Sequence, residues 1–279
     1  MKVHTNPLVS VVIACYNDKL YIEEAIQSVL SQSYKNIEIL VVDDGSDAET
    51  KAVLKSLEPK INSIITQENL GQSTARNNGI REAKGAYILV LDSDDYFEPS
   101  FIERALSSVK DSVRLITCWA NCFTEKEATQ YIPKGGDLEN FLFENASIGN
   151  ALFRKIDWKA CGGYDEQMRE GWEDWEFFIR LMALGGSCHV IPEVLFNYRL
   201  RENSTTSRAN QKQATLLSYI LKKNSVFYKS KFNETIDFLI ENIEHEQRER
   251  SKVFTKPEYK VGKAVIDPIR ALKRKLKKK

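Results

Sequence analysis

Several features that would define a class of protein are missing from the 279-residue sequence. Its five cysteines are an odd number, lie scattered along the chain and form no CxxC pair, so we interpret them as reduced thiols. The three histidines lie far apart and no HExxH pattern occurs, so any bound metal would have mainly oxygen ligands. No apolar run of about 18 residues and no secretory segment is found. The protein is therefore expected to be cytoplasmic.

Signatures of nucleic-acid and dinucleotide binding are missing as well. The formal net charge is only +1, which gives the whole chain no field that would select nucleic acid. Neither GxGxxG nor GxxxxGK[ST] occurs, which excludes a dinucleotide fingerprint and a Walker-type phosphate loop. The apolar fraction of 42% and the charged fraction of 28% are those of an ordinary globular protein. The length allows one large α/β domain, alone or with a small appendage.

The C-terminal end has a strong charge asymmetry. Residues 270–279, RALKRKLKKK, contain seven basic side chains and no acidic one. Apolar residues alternate with charged ones in this region: Val265, Ile266, Ile269, Leu272 and Leu276. Such a composition is typical of a segment that lies on an anionic membrane surface, although a disordered soluble terminus is the plainer alternative.

The first hundred residues alternate between strand-like and helix-like patterns. Apolar strand patterns occur at LVSVVIACY, IEILVV, SIITQ and YILVL, and amphipathic helices follow the first three. Ser46 and Glu49 have the spacing of a capping box for the second helix. Strands that are apolar throughout and alternate with helices predict a parallel sheet covered on both faces.

Beyond about residue 110 the alternation becomes irregular. RLITCWANCF is interpreted as a strand, GDLENFLFE as a short helix, EDWEFFIRLMALGG as a longer one, and HVIPEVLFNYRL as one or two final strands with a break at Pro192. His189 is interpreted as a residue of this final strand rather than a metal ligand. Residues 210–250 look helical, which predicts a helical extension over residues 206–279 behind a main domain at 1–205.

Polar clusters follow three of the predicted strands, where ligands bind in open parallel sheets. The last cluster, in VLDSDDYFEP, places Asp92, Asp94 and Asp95 within four positions, where a cation would relieve their repulsion. In an extended segment Asp92 and Asp94 project to the same side and would hold Mg²⁺ or Mn²⁺ against a phosphate ester. The alternative is a turn in which Ser93 or Asp94 caps a helix near Pro99.

A second acidic pair occurs in GWEDWEFF at a predicted helix start. The helix dipole would stabilise the negative charges of Glu173 and Asp174 at this position, which is a purely structural explanation for the pair. The neighbouring Trp172 and Trp175 could instead form a platform for a sugar and exclude water, which would raise the pKa of a carboxylate.

Taken together, VSVVIACYN, VVDDGS, GQSTARNNGI, VLDSDD, CGGYDE and EDWEFFIRLMALG resemble the inverting glycosyltransferases of family 2 over about residues 8–200. The resemblance implies the GT-A nucleotide-diphospho-sugar transferase fold, an α/β fold with a mostly parallel, Rossmann-like central sheet flanked by helices. It also implies a divalent cation, Mn²⁺ or Mg²⁺, held against the diphosphate of a nucleotide sugar, most often a UDP-sugar.

The resemblance assigns roles to individual residues. In the DSD segment, Asp94 would be the direct metal ligand, Asp92 a ribose or metal contact, and Ser93 part of the donor site. Ala14 and Tyr16 would line the base pocket, Asp44 would bond the uracil or its sugar, and Arg76 would approach the diphosphate. Simpler explanations are that Asp43 and Asp44 make a turn with Gly45, and that Arg76 is a solvated helix residue.

For catalysis the resemblance implies a single displacement in which Asp174 takes the proton of the acceptor hydroxyl and Glu173 contacts the acceptor. One departure concerns the segment NYRLRENS, where Arg201 stands in place of a histidine that many relatives carry. A histidine metal ligand is therefore missing here, and Arg199 and Arg201 become candidates for binding the diphosphate.

The sequence thus predicts a metal-dependent inverting glycosyltransferase of the hexosyltransferase type in the cytoplasm, peripherally associated with the membrane. It would transfer a sugar from a UDP-sugar to a glycan or lipid-linked glycan acceptor in cell-surface polysaccharide synthesis. The alternatives are a polyprenyl-phosphate sugar transferase and a non-catalytic protein that binds sugar nucleotides.

Overall fold

The computed structural model describes residues 6–201 and 205–276. The chain divides into two compact units, residues 1–225 and 226–279. The predicted boundary between a catalytic domain and an extension after residue 205 remains a prediction.

Among the described residues, nine strands form one sheet in the first unit. Their bounds are β1 Val9–Cys15, β2 Ile37–Asp44, β3 Ser63–Gln67, β4 Tyr87–Asp92, β5 Tyr96–Phe97, β6 Val113–Phe123, β7 Ala128–Tyr131, β8 Leu152–Arg154 and β9 Ser187–Arg199. The order across the sheet is β3-β2-β1-β4-β8-β6-β9-β5, and β7 pairs with β6.

Helices connect these strands and continue beyond them. Their bounds are α1 Ile22–Leu30, α2 Ala48–Leu57, α3 Gln72–Glu82, α4 Phe101–Ser107, α5 Leu138–Phe143, α6 Lys155–Cys161, α7 Glu173–Met182, α8 Thr205–Gln211, α9 Gln213–Lys223, α10 Ser225–Ser230, α11 Phe232–Thr255 and α12 Pro257–Leu276. A short 3-10 helix, Glu58–Lys60, follows α2.

The first half of the sheet is parallel, as predicted. β1 pairs in parallel with β2 and β4, and β2 pairs in parallel with β3. Every residue of β1 is buried, because side chains of α1 share a hydrophobic cluster with one face of the strand and α3 packs against the strand as well. β-Branched residues suit this position, since a strand buried on both faces needs apolar side chains in both directions.

The second half of the sheet is mixed, which the sequence patterns did not indicate. β8 runs antiparallel to both β4 and β6, whereas β9 runs parallel to β6. The three residues of β8 are too few to show a period in the sequence. The pairing of β9 with β6 shifts register between Ile191 and Val194, so Pro192 lies in a bulge where its missing N–H costs no ladder bond. His189 lies in β9, as predicted, and it is exposed.

The start of α2 differs from the prediction. Its N-cap is Asp47, whose side chain accepts a hydrogen bond from the Thr50 amide at 2.8 Å. Ser46 lies one residue earlier, and its hydroxyl accepts the Asn17 amide instead. The predicted capping box of Ser46 and Glu49 is therefore wrong, because a carboxylate one residue later reaches the first helical turn.

The second unit is helical in its described residues and contains α11 and α12. Residues 257–276 form one helix through Pro268, and Lys277, Lys278 and Lys279 of the basic tail lie outside the described residues. In the part of the chain that the structure describes, no helix combines the length and apolar character needed to cross a membrane.

Candidate active site

The carboxyl ends of β1, β2 and β4 meet at one edge of the sheet and bring the predicted acidic residues together. β4 ends at Asp92, and a tight turn follows in which the Asp95 amide donates to the Asp92 carbonyl at 3.2 Å. We call residues 92–95 the acidic turn. It leads into strand β5 rather than a helix, so the alternative of a helix cap at Ser93 or Asp94 is wrong.

The acidic turn is largely removed from water. The side chains of Asp92 and Asp94 are 22% and 18% exposed, whereas Ser93 and Asp95 are buried. Burial and the neighbouring Asp92 together raise the pKa of Asp94 to about 6, although the charge of Arg201 acts in the opposite direction. Burial raises the pKa of Asp95 as well, and the charges of Asp94 and Asp92 add to this effect. The turn therefore concentrates negative charge that additional positive charge would stabilise.

Arg76 connects the acidic turn to the start of α7. Its guanidinium forms ion pairs with Asp92 at 2.7 Å and with Glu173 at 2.6 Å, and lies 5.3 Å from the ring centre of Tyr164. Arg76 is only 2% exposed, so the interpretation as a solvated helix residue is wrong. Its predicted contact with a diphosphate would require this buried guanidinium to become accessible. In the structure it joins two acidic segments that are about 80 residues apart.

Two residues that the sequence did not reveal hold Asp92 in place. The Gln72 side chain donates to the Asp92 carboxylate at 2.7 Å. The Asn150 side chain accepts the Asp92 amide at 2.6 Å and donates to the carboxylates of Asp92 and Asp95 at 3.3 and 3.4 Å. Asn150 interrupts the apolar pattern just before β8, and a polar residue there was the available signal.

The CGGYDE segment contains Tyr164, whose ring lies against the Arg76 guanidinium. The Asn77 side chain accepts the Tyr164 amide and donates to the Tyr164 carbonyl, both at 2.9 Å. The Tyr164 ring stacks on Phe177 of α7, with ring centres 4.2 Å apart. Gly163 has φ +73, and a Cβ there would lie 2.9 Å from the Asn77 side-chain oxygen. This glycine therefore allows the turn that places Tyr164 under Arg76.

Asp18 and Arg201 both contact residues of the acidic turn. The Ser93 hydroxyl donates to Asp18 at 2.5 Å, so Ser93, a predicted donor contact, is buried and holds the loop after β1. Arg201 pairs with Asp18 at 2.8 Å and with Asp94 at 2.7 Å. Arg199 stabilises the turn through other contacts. Its backbone amide donates a hydrogen bond to the Asp95 carboxylate, and its Nε atom donates one to the Asp94 backbone carbonyl.

Asp174 is the predicted base, and its carboxylate is held from two sides. One oxygen accepts the Trp175 amide and the other accepts the Asn145 side chain, both at 2.8 Å. Burial raises the pKa of Asp174, with Asp92 adding to the effect and Arg76 opposing it. A Cβ on Gly149 would lie 2.9 Å from one Asp174 oxygen, so the absence of a side chain leaves that carboxylate room. A carboxylate with a raised pKa and a fixed orientation is suited to accept a proton.

The neighbours of Asp174 differ in part from the prediction. Glu173 is buried and paired with Arg76, and burial raises its pKa. Trp175 is also buried, and its indole donates to the Phe141 carbonyl at 2.6 Å. It therefore belongs to the core and cannot form a sugar platform. Trp172 is half-buried and has φ +63, an uncommon backbone conformation for a tryptophan.

The predicted base pocket lies at the ends of β1 and β2. Ala14 is nearly buried, whereas Tyr16 is 48% exposed and available for stacking. Asp44 is buried and accepts hydrogen bonds from the Gln67 side chain and from the amides of Leu70 and Gly71. The structure thus gives Asp44 a role in holding the loop after β3. Its contact with a base remains a prediction.

The donor set of the acidic turn suits a hard divalent cation, because it offers carboxylate oxygens and an excess of negative charge. Among residues 6–201 and 205–276, no group of three or more His, Cys, Asp or Glu side chains is arranged to hold a metal. A cation here would therefore share its coordination between one or two carboxylates, the substrate and water.

Comparison with known sequences identifies the family. The family model described as glycosyl transferase family 2 matches residues 10–158. The chain belongs to glycosyl transferase family 2. An uncharacterized glycosyltransferase of Haemophilus influenzae is 30% identical over 249 residues, which cover 81% of this chain and 75% of the relative. TuaG of Bacillus subtilis, a glycosyltransferase assigned to teichuronic acid biosynthesis, is 29% identical over 72% of this chain and 82% of its own.

Solved structures show the fold. TarS residues 1–349 of S. aureus, in complex with UDP-GlcNAc, superimposes with a TM-score of 0.62 and 21% identity over 71% of this chain and 60% of that chain. A mannosyltransferase from Pyrobaculum calidifontis, in complex with GDP-Man and Mn²⁺, superimposes with a TM-score of 0.57 and 18% identity over 74% of this chain and 60% of its own. This family 2 glycosyltransferase therefore has the predicted GT-A fold.

Proposed function

We propose that this family 2 glycosyltransferase transfers a hexose with inversion from a UDP-sugar to a hydroxyl group of a glycan or lipid-linked glycan in cell-surface polysaccharide synthesis. The observation that carries the proposal is the pair of ion pairs made by Arg76, which fixes the acidic turn beside Glu173 and Asp174. The proposed diphosphate site at the acidic turn and the proposed base would thereby be adjacent. The relationship to TuaG supports the class of acceptor, and the UDP-GlcNAc complex of TarS supports the class of donor.

In the proposed reaction the acceptor oxygen forms a bond to the anomeric carbon while the bond from that carbon to the diphosphate breaks. The hydroxyl proton passes to Asp174, and the electron pair leaves with the diphosphate. A single displacement of this kind inverts the anomeric centre. The raised pKa of Asp174 suits it to this proton transfer.

The donor would lie between the β1 loop and the acidic turn. Asp94 would hold Mn²⁺ or Mg²⁺ together with diphosphate oxygens, and Asp92, kept in place by Arg76 and Gln72, would contact the ribose or the metal. When bound, the cation supplies positive charge that stabilises the departing diphosphate. The exposed ring of Tyr16 would stack on the base.

Replacing Asp174 tests the proposal. Asp174→Asn keeps the shape of the side chain but cannot take a proton, so turnover with a hydroxyl acceptor should fall by about 10²–10⁴-fold while UDP binding is kept. The measurement is sugar transfer from UDP-, GDP- and dTDP-sugars to a panel of acceptors. Substantial activity in Asp174→Asn would instead indicate a polyprenyl-phosphate acceptor, which needs little deprotonation. Nucleotide binding without turnover by the wild type would indicate a non-catalytic binding protein.

We also propose that the protein is cytoplasmic and that α12 contacts an anionic membrane. Residues 256–279 contain ten basic and two acidic residues, and Val261 and Val265 lie exposed one helical turn apart. A helix with this composition binds a surface through both charge and apolar area.

Vesicle sedimentation tests this contact. The full chain should sediment with vesicles that contain phosphatidylglycerol but not with vesicles of pure phosphatidylcholine. Salt at about 0.5 M should release it, because salt screens the attraction between the basic helix and the anionic lipid. Val265→Asp should weaken sedimentation, whereas the same change at exposed Val226 on α10 should not. Equal behaviour of both variants, or no preference for anionic lipid, would contradict the membrane contact.

A further inference from the structure

Arg201 lies where a cation at the acidic turn would be needed. It follows the end of β9, and its two terminal nitrogens pair with Asp18 at 2.8 Å and with the Asp94 Oδ2 atom at 2.7 Å. Its guanidinium also lies 5.4 Å from the ring centre of Tyr21. Because 37% of its side chain remains exposed, the guanidinium is accessible to ligands.

The carboxylate that Arg201 contacts is also the proposed metal ligand. A divalent cation bound to Asp94 Oδ2 would place its charge next to the guanidinium, and like charges at this distance repel strongly. The two positive groups would therefore exclude one another at that oxygen. Asp18 provides a second partner that would keep Arg201 beside the site when Asp94 binds the cation.

Building on the proposed function, we propose that Arg201 is the resident counter-ion of the acidic turn and competes with the divalent cation for Asp94. Arg201 thereby weakens metal binding in the absence of a donor and reduces the metal requirement of diphosphate binding. With no metal present, the guanidinium itself faces the diphosphate. With metal present, Arg201 remains paired with Asp18 at the edge of the donor site.

The competition predicts the metal affinity of the free enzyme. Mn²⁺ alone, followed by the electron paramagnetic resonance signal of the unbound ion, should bind Arg201→Gln about tenfold more tightly than the wild type, a typical coupling between two ligands of one site. Arg201→Lys, which keeps the charge, should stay close to the wild type. Arg104 lies on α4 and forms an exposed ion pair with Glu193 of β9, so Arg104→Gln removes one charge outside the acidic turn and serves as the matched control.

The double variant Arg201→Gln/Asp94→Asn should lose the gain in Mn²⁺ affinity, since the shared oxygen is then neutral. In EDTA, UDP should bind Arg201→Gln about tenfold more weakly than the wild type. Unchanged Mn²⁺ affinity in Arg201→Gln, or an equal gain in Arg104→Gln, would overturn the competition. A wild-type protein that binds no nucleotide even with Mn²⁺ would overturn the proposed function instead, and the Mn²⁺ titrations would still decide the role of Arg201.

Discussion

At Asp94, burial and a neighbouring negative charge both disfavour the ionised carboxylate. In the folded protein the pKa of Asp94 is raised to about 6, because burial and the charge of Asp92 both disfavour the carboxylate. In the unfolded chain an aspartate loses its proton near pH 4. Ionisation of Asp94 therefore destabilises the metal-free fold as the pH rises from about 4 to about 6. A bound cation or a neutral side chain would remove that cost.

This reasoning predicts a pH-dependent effect of Asp94→Asn. The variant should match the wild type in free energy of unfolding below about pH 4 and exceed it above about pH 7, by an amount on the order of 2 kcal/mol. Urea unfolding in EDTA across this range is the measurement.

Asp165→Asn provides a control of opposite sign. Burial raises the pKa of Asp165, but hydrogen bonds from Lys223 and other donors outweigh it and lower the pKa overall. The ion pair between Asp165 and Lys223 stabilises the fold once Asp165 is ionised. Asp165→Asn should therefore become less stable than the wild type as the pH rises. An Asp94→Asn variant whose advantage does not change with pH would contradict the account of the acidic turn.

At the scale of elements, α3 is tied to the turn that carries Tyr164. Asn77 is buried on α3, and its side chain satisfies both backbone groups of Tyr164 and the Trp158 indole. Asn77→Ala would leave these buried groups without partners, which costs about 1–3 kcal/mol for each unsatisfied group.

The expected result for Asn77→Ala is a loss of about 3 kcal/mol in the free energy of unfolding, measured with urea. Asn78→Ala is the matched control, because Asn78 is the next residue of α3 and donates to the partly exposed Gln67 side chain. It should cost less than about 1 kcal/mol. Equal losses in the two variants would show that α3 does not depend on the Tyr164 turn.

The elements also show how far the sequence reaches. The strand and helix alternation predicts β1 to β4 with α1 to α3, because burial on both faces leaves a clear apolar pattern. β8 and β5 were not predicted, since two or three residues carry no period and their pairing is set by distant strands. Glu173, Asp174 and the acidic turn were predicted from local clusters. Gln72, Asn145 and Asn150 were not, because an isolated amide becomes informative only once its partner is known.

Across the whole molecule, the sheet brings together residues from distant parts of the sequence. Asp18, Arg76, Asp92, Glu173 and Arg201 form one chain of ion pairs and hydrogen bonds through Ser93 and the acidic turn. The parallel half supplies the proposed donor site, and the mixed half supplies the proposed base and Arg201. The second unit contributes the basic helix α12, whose role is tested independently with vesicles.

The central claim is that the acidic turn binds a nucleotide diphosphate through a divalent cation held by Asp94. Its most direct test is calorimetric titration of UDP into the wild type and Asp94→Ala, each with Mn²⁺ and with EDTA, after circular dichroism has shown both to be folded. We predict that Mn²⁺ tightens UDP binding to the wild type by about tenfold or more, or about 1.4 kcal/mol, and that Asp94→Ala loses this gain. The same gain in Asp94→Ala would contradict the account.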